Sequence, residues 1–155
     1  MRRARLAEYL AAQADAELVL VGEAPGYRGA RVSGLPFTSE RQLTGAGPAE
    51  ATATIVHRVL AELELTDRVL LWNVVPTHPG TATSNRRPTR VEVGAGRVFA
   101  RELARGRVVV GIGRLAAEAL DAPYVRHPSR GGLAGFREGL LQFAPGGRLV
   151  RRFSA

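Results

Sequence analysis

The chain has no cysteine and no lysine, one tryptophan and one methionine among its 155 residues. Without cysteine it can form no disulfide, no thiolate metal site and no cysteine-ligated iron–sulfur cluster. No apolar run approaches the roughly 18 residues of a membrane-spanning helix. The opening "MRRARLAEYLAAQADAE" is basic, like the start of a secretion signal, but Glu8, Gln13, Asp15 and Glu17 stand where such a signal needs apolar residues. It reads as an amphipathic helix instead. The expectation is one soluble domain spanning residues 1–155, cytoplasmic and monomeric, with no metal, no cofactor and no membrane partner. The missing lysine leaves arginine as the source of all 22 basic charges, against 14 acidic ones, for a net charge of +8. That usage fits a genome rich in arginine codons and says little about mechanism. The surplus itself favours a polyanionic partner, because each neutralised phosphate releases condensed counterions. A merely soluble basic protein is the plainer alternative.

What is present is an alternation of helical and strand-like patterns. Leu6, Tyr9 and Leu10 share one face of a helix expected over 2–13. "ELVLVG" at 17–22, "RVLLWNV" at 68–74 and "RVVVGIG" at 107–113 read as buried strands, and "YVRHP" as a short fourth. A helix is expected from Pro48 to Glu64, with Ile55, Val59, Leu60 and Leu63 inward. A second opens on the capping box Thr89–Glu92 and runs to Ala104 despite Gly94 and Gly96, and a third, short one covers 115–120. The tail from 137 is open between helix with coil and a hairpin about Pro145–Gly147. This order predicts an α/β fold, a three-layer α/β/α sandwich around a central, mostly parallel four-stranded sheet. Ligands in such sheets sit beyond the carboxyl ends of the strands, at a topological switch point.

Three polar loops begin at that edge. The first, 23–45, opens with "GEAPG" and is too long to be a plain connection in a compact domain. A glycine-bearing turn after a strand suggests a phosphate cradle, yet Glu23 and Pro25 are poor choices for one. Phe37, stiffened by Pro36, is either a stacking platform for a flat base or a loop residue folded back onto the body. Tyr27 either walls a pocket or packs. In the second loop, Asn73 offers one acceptor and two donors at fixed geometry. It can read a base edge that presents an acceptor beside a donor, as uracil does at O4 and N3–H, or it can tie down its own loop. His78 can touch phosphate or sugar, or serve structure. Arg86, Arg87 and Arg90 form a candidate phosphate cluster or a solvated basic face. In the third loop, "RHPSRGGLAGF", His127 precedes a proline that favours extended backbone. Ser129, Arg130, Gly131 and Gly132 follow with little bulk. His57, inside a helix, reads as structural.

Together "GEAPG…G.PFT", "NVVPTHP…NRRPT..E" and "HPS" resemble the uracil-DNA glycosylase superfamily, over roughly residues 17–136 and in the right order. They look closest to bacterial branches whose first motif is GEAPG, including the iron–sulfur-containing thermophile type. The resemblance implies hydrolysis of the N-glycosidic bond of deoxyuridine in DNA, releasing uracil and leaving an abasic site. Uracil-containing DNA is then the expected partner. Glu23, with the Ala24 and Gly26 backbone, would hold the attacking water, Phe37 would stack on the extruded base and Asn73 would read its edge. His127 would bond uracil O2, and Ser129 and its successors would grip phosphate. Arg130 or Leu133 would fill the gap in the duplex, and Tyr27 would crowd the uracil C5 edge. Two departures stand out: the thermophile branch holds its cluster with four cysteines and this chain has none, and Ala24 stands where the best-known branch has a water-orienting aspartate.

Rival readings differ in class. One is a DNA-binding member that recognises uracil or abasic sites without turnover; another is a glycosylase preferring a different deaminated base. A third, a small-molecule α/β enzyme binding nucleotide phosphate at "GEAPG", lacks the lysine of a P-loop and the GxGxxG of a dinucleotide fold.

Overall fold

The computed structural model describes residues 1–145, and the tail hairpin considered about Pro145–Gly147 lies outside the described residues from 146 on. Four runs of branched and aliphatic residues become strands: β1 (Leu18–Gly22), β2 (Val69–Asn73), β3 (Val108–Ile112) and β4 (Tyr124–Val125). Every residue of β1, β2 and β3 is buried, as continuous apolar runs require when helices cover both faces. The sheet order is β2-β1-β3-β4, and all three pairings are parallel. The chain leaves β1 for β2 on one side and returns to β3 on the other, so the switch point lies between β1 and β3.

The helices are α1 (Arg2–Ala12), α2 (Ala30–Ser33), α3 (Glu40–Thr44), α4 (Ala51–Glu62), α5 (Arg90–Ala104), α6 (Arg114–Leu120) and α7 (Leu133–Leu141). On one face of the sheet, Val56, Val59 and Leu60 of α4 and Phe136 and Leu140 of α7 pack against Leu20, Leu71, Val110 and Ile112. On the other, Ala100 and Ala104 of α5 and Ala116 and Leu120 of α6 pack against Val19, Val21, Leu70 and Val109. These are the three layers that the alternating pattern predicts.

The edge strand β2 is shielded by α1. The Leu71 N–H, which an open edge would leave unpaired, donates to the Tyr9 hydroxyl at 2.6 Å, and burial pushes that phenol up to about 12. Leu6 and Leu10 pack on one core cluster while Tyr9 joins the other, so the predicted single face of α1 is split across the sheet edge. The expected strand and helix positions hold within a few residues, with one shift of consequence. Helix α4 begins at Ala51 with Glu50 as its N-cap, and Pro48 lies in the preceding loop, where its carbonyl accepts from Arg41 N–H. The long loop 23–45 holds two single-turn helices, α2 and α3, and the Ser39–Gln42 capping box starts the second. No helix of the described residues is long and apolar enough to cross a membrane.

Candidate active site

The ladder between β1 and β2 continues past the strand ends. Val74 N–H donates to the Gly22 carbonyl at 2.8 Å and Val75 N–H to the Glu23 carbonyl at 3.0 Å. Gly22 is in register with Asn73, so the start of the first loop and the amide of the second are fixed side by side. Beyond this edge lies a cleft of about 500 Å³. The first loop supplies Glu23, Ala24, Pro25, Gly26 and Phe37 to it, and the end of β2 with the second loop supplies Asn73, Asn85 and Arg86. The β3 end supplies Gly113 and Arg114, and the third loop supplies His127, Ser129 and Arg130. The three loops singled out in the sequence therefore meet in one place.

Phe37 has both of the characters that the sequence left open. It is 8 % exposed and belongs to the core cluster, yet it also lines the cleft. Its φ of 50° is in the left-handed region, a conformation that costs a bulky residue about 1–3 kcal/mol and persists only where neighbours enforce it. The enforcement is visible. Ser33, fully buried, donates to the Thr38 carbonyl at 2.7 Å and accepts from Leu35 N–H at 3.0 Å. Thr38 Oγ1 donates to the Pro36 carbonyl and bonds His57 Nε2 at 3.2 Å. Burial lowers the His57 imidazole from its ordinary value, with the Phe37 backbone carbonyl opposing. His57 is thus structural, as expected, and its structural task is to hold the loop that carries Phe37. Gly22 makes room: a β-carbon there would overlap the Phe37 ring and stand 3.0 Å from Asn73 Oδ1.

Asn73 is 3 % exposed, and no described residue hydrogen-bonds its carboxamide. It does not tie down its own loop. A nearly buried amide with no partner among the described residues is unusual, and it faces a cleft in which a ligand would supply the missing bonds.

His127 has a defined tautomer. The Ser129 backbone N–H donates to its Nδ1 at 3.2 Å and Ser129 Oγ lies 2.7 Å from the same atom. A main-chain N–H can only donate, so Nδ1 is the lone-pair nitrogen and the proton of the neutral ring sits on Nε2. Burial holds the imidazole below its ordinary range, which favours that neutral form. Small residues shape the strap behind it. A β-carbon at Gly132 would overlap the His127 carbonyl, and Arg130 and Gly131 both have left-handed φ, of 51° and 73°.

The remaining expectations fare differently. Tyr27 does not line the cleft. It borders a neighbouring groove with Arg28 and Arg31, and its backbone N–H donates to Asn85 Oδ1 at 2.9 Å. Leu133 begins α7 half-buried against the core rather than standing free. Arg86 reaches the cleft with its charge already spent: its guanidinium grips both oxygens of Glu92, at 2.9 and 2.7 Å, and holds that carboxyl down to about 2. Arg87 is exposed and outside the cleft lining. His78 is tied to structure. Its Nδ1 is 2.7 Å from the Pro25 carbonyl, and its Nε2 lies 2.8 and 3.1 Å from the carbonyls of Thr81 and Ser84. Through these contacts His78 staples the second loop, which carries it, to the first.

Four polar cleft residues escaped the sequence reading: Glu50, Thr52, Asn85 and Arg114. Only Asn85 had an adjacent signal, in "SNRRPT". Among the described residues no group of three or more His, Asp or Glu side chains is placed to share a metal ion.

The molecule is thus an all-parallel α/β sandwich with a polar cleft at its switch point, lined by an aromatic ring and by an amide without a hydrogen-bond partner among the described residues. The model of the Uracil DNA glycosylase superfamily matches residues 10–149, and the chain belongs to that superfamily. Among curated proteins none matches it significantly. Membership makes DNA the family's substrate and a glycosylase the family's kind of enzyme.

Proposed function

We propose that the protein is a monofunctional glycosylase of the GEAPG branch, which removes uracil from DNA by hydrolysis and leaves an abasic site. One observation carries this reading: Phe37 of the first loop, Asn73 at the end of β2 and His127 of the third loop line one cleft together with Glu23. The target nucleotide must leave the stack to reach that cleft, at a cost of a few kcal/mol. Once inside, its ring lies on Phe37 and its N3–H/O4 edge meets the free carboxamide of Asn73. The glycosidic bond breaks as positive charge gathers on the sugar and negative charge on the base. Catalysis then requires donors aimed at the base and an anion near the sugar. His127 Nε2–H is a neutral donor of the right kind for O2, and Glu23 brings a carboxylate to the same cleft. Ser129 both fixes that tautomer and begins the strap whose next residue, Arg130, is free to meet phosphate.

The test is incubation with a uracil-containing oligonucleotide followed by hot alkali, which cuts only at abasic sites. Cleavage by the wild-type protein that is lost in His127→Ala and Glu23→Ala, with DNA affinity retained, is the expected result. Binding without cleavage would instead identify a recognition protein without turnover, a reading that Ala24 favours because it removes the usual water-orienting carboxylate. Parallel oligonucleotides carrying hypoxanthine or other deaminated bases rank the substrates.

A further inference from the structure

The proposed reaction needs a place for the proton that the attacking water loses, and Ala24 cannot provide one. A second carboxylate shares the cleft. Glu50 lies at the N-cap of α4, with its carbonyl already committed to Thr54 N–H at 3.1 Å. Its side chain reaches over the first loop, so that a β-carbon at Gly26 would overlap Oε1 and one at Gly29 would overlap Oε2. Two glycines therefore make the space in which this carboxylate sits, and one of them is the last residue of "GEAPG". Despite the close approach, no described residue donates a hydrogen bond to either oxygen. The titratable and charged groups in the vicinity are His78, and Glu23, Arg86, Arg114, His127 and Arg130, which share the cleft lining. Arg86 is paired with Glu92 and does not neutralise Glu50.

We propose that Glu50 is the general base of the reaction: its carboxylate accepts the proton of the water held against Ala24–Gly26 as the water oxygen attacks C1′ of the extruded nucleotide. The C1′–N1 bond breaks, its electron pair leaves with the base as an anion steadied at O2 by His127, and the proton rests on Glu50 until solvent removes it. Glu23 is then released from proton transfer and acts as the fixed anion beside the sugar. The division of labour matches the two environments. Burial raises the Glu50 carboxyl above its ordinary value, His78 opposing, and a base with a raised pKa accepts a proton more readily.

This inference rests on the glycosylase reading, and the experiment separates the two. Single-turnover cleavage of a uracil-containing duplex is measured for the wild type, Glu50→Gln and Glu50→Ala, with affinity for an abasic-site duplex and thermal melting measured alongside. A positioned base contributes about 100-fold or more, so Glu50→Gln should slow cleavage by about that factor while duplex affinity stays within about twofold. Added formate should restore part of the rate to Glu50→Ala, where the side chain has left a space, and none to Glu50→Gln. A purely structural role would show no such rescue. Wild-type cleavage with Glu50→Gln at an undiminished rate overturns the assignment and leaves the glycosylase reading standing. Slow variants that also lose duplex affinity, with no formate effect, overturn it as well. If Glu50→Ala fails to fold, the pH profile decides: the acid-side rise in wild-type rate should flatten in Glu50→Gln, and an unchanged profile rejects the role. A wild type that makes no abasic site from any uracil substrate removes the glycosylase reading and this assignment with it.

Discussion

At the scale of single residues, the cleft is assembled at the expense of stability. Gly22 leaves space for an aromatic ring in a strained conformation, so Gly22→Ala should force Phe37 and Asn73 apart. Overpacking of this kind costs about 1–3 kcal/mol, and urea denaturation of the variant should show a loss in that range. Two imidazoles are held below their ordinary value of 6.5, His57 and His127, in both cases chiefly by burial. A depressed folded-state pKa means that the unfolded chain takes up the proton first. Stability from keeping these rings neutral is therefore full above about pH 6.5 and lost as the pH falls through the folded-state values. Denaturation midpoints should drop from pH 8 to pH 5, and His57→Gln should drop less. Glu50 has the opposite sign. Its raised pKa means that ionisation opposes folding as the pH climbs past the ordinary carboxylate range. Glu50→Gln should therefore melt higher than the wild type at pH 8, a gain that fades at pH 4; a lower melting temperature at pH 8 would contradict this.

At the scale of elements, the two glycines inside α5 have opposite meanings. Gly94 is exposed with open space where a β-carbon would stand, so Gly94→Ala should stabilise by about 0.5–1 kcal/mol. Gly96 is buried, and a β-carbon there would overlap the Val74 carbonyl beside Pro76. Gly96→Ala should push the helix off the second loop and lower the melting temperature. Their sequence context does not separate them; only the helix's neighbour does. The same distinction runs through the chain. Strands and long helices were legible because buried runs and helical periods are local, and the Thr89–Glu92 box could be read at three residues' distance. The helices α2 and α3 were hidden in a Gly/Pro-rich stretch because one turn is too short to show a period. Phe37, Asn73 and His127 were legible as loop residues of the right chemistry after strand ends. Glu50 was not, because its significance comes from Gly26 and Gly29, more than twenty residues earlier. Tyr27 and Leu133 were drawn toward the site by adjacency in sequence, and their side chains go elsewhere.

At the scale of the whole molecule, the surplus of positive charge sets how DNA is approached. Affinity for any duplex should fall linearly on a log–log plot against salt, since phosphate neutralisation releases counterions. On the proposed reading, discrimination for uracil rests on the amide and ring inside the cleft and should change little over the same range. Comparing dissociation constants for uracil-containing and undamaged duplexes from about 50 to 200 mM salt checks both statements. Arg86 is a poor candidate for that surface while Glu92 holds it. Glu92→Gln should free the guanidinium and tighten non-specific binding, with some loss of the helix cap it shares with Thr89.

The His127 imidazole follows the briefest strand of the sheet. β4 has two residues, and two main-chain bonds bracket it on β3, from Gly111 N–H to Pro123 and from Gly113 N–H to Val125. β1, at the centre, is laced on both sides along almost its full length. Opening the outer margin thus breaks few bonds, and amide exchange should be fastest there and slowest at Val19–Val21. The two sides of the cleft are thus anchored unequally: the amide is held by the long β1–β2 ladder, and the imidazole by the short margin at β4.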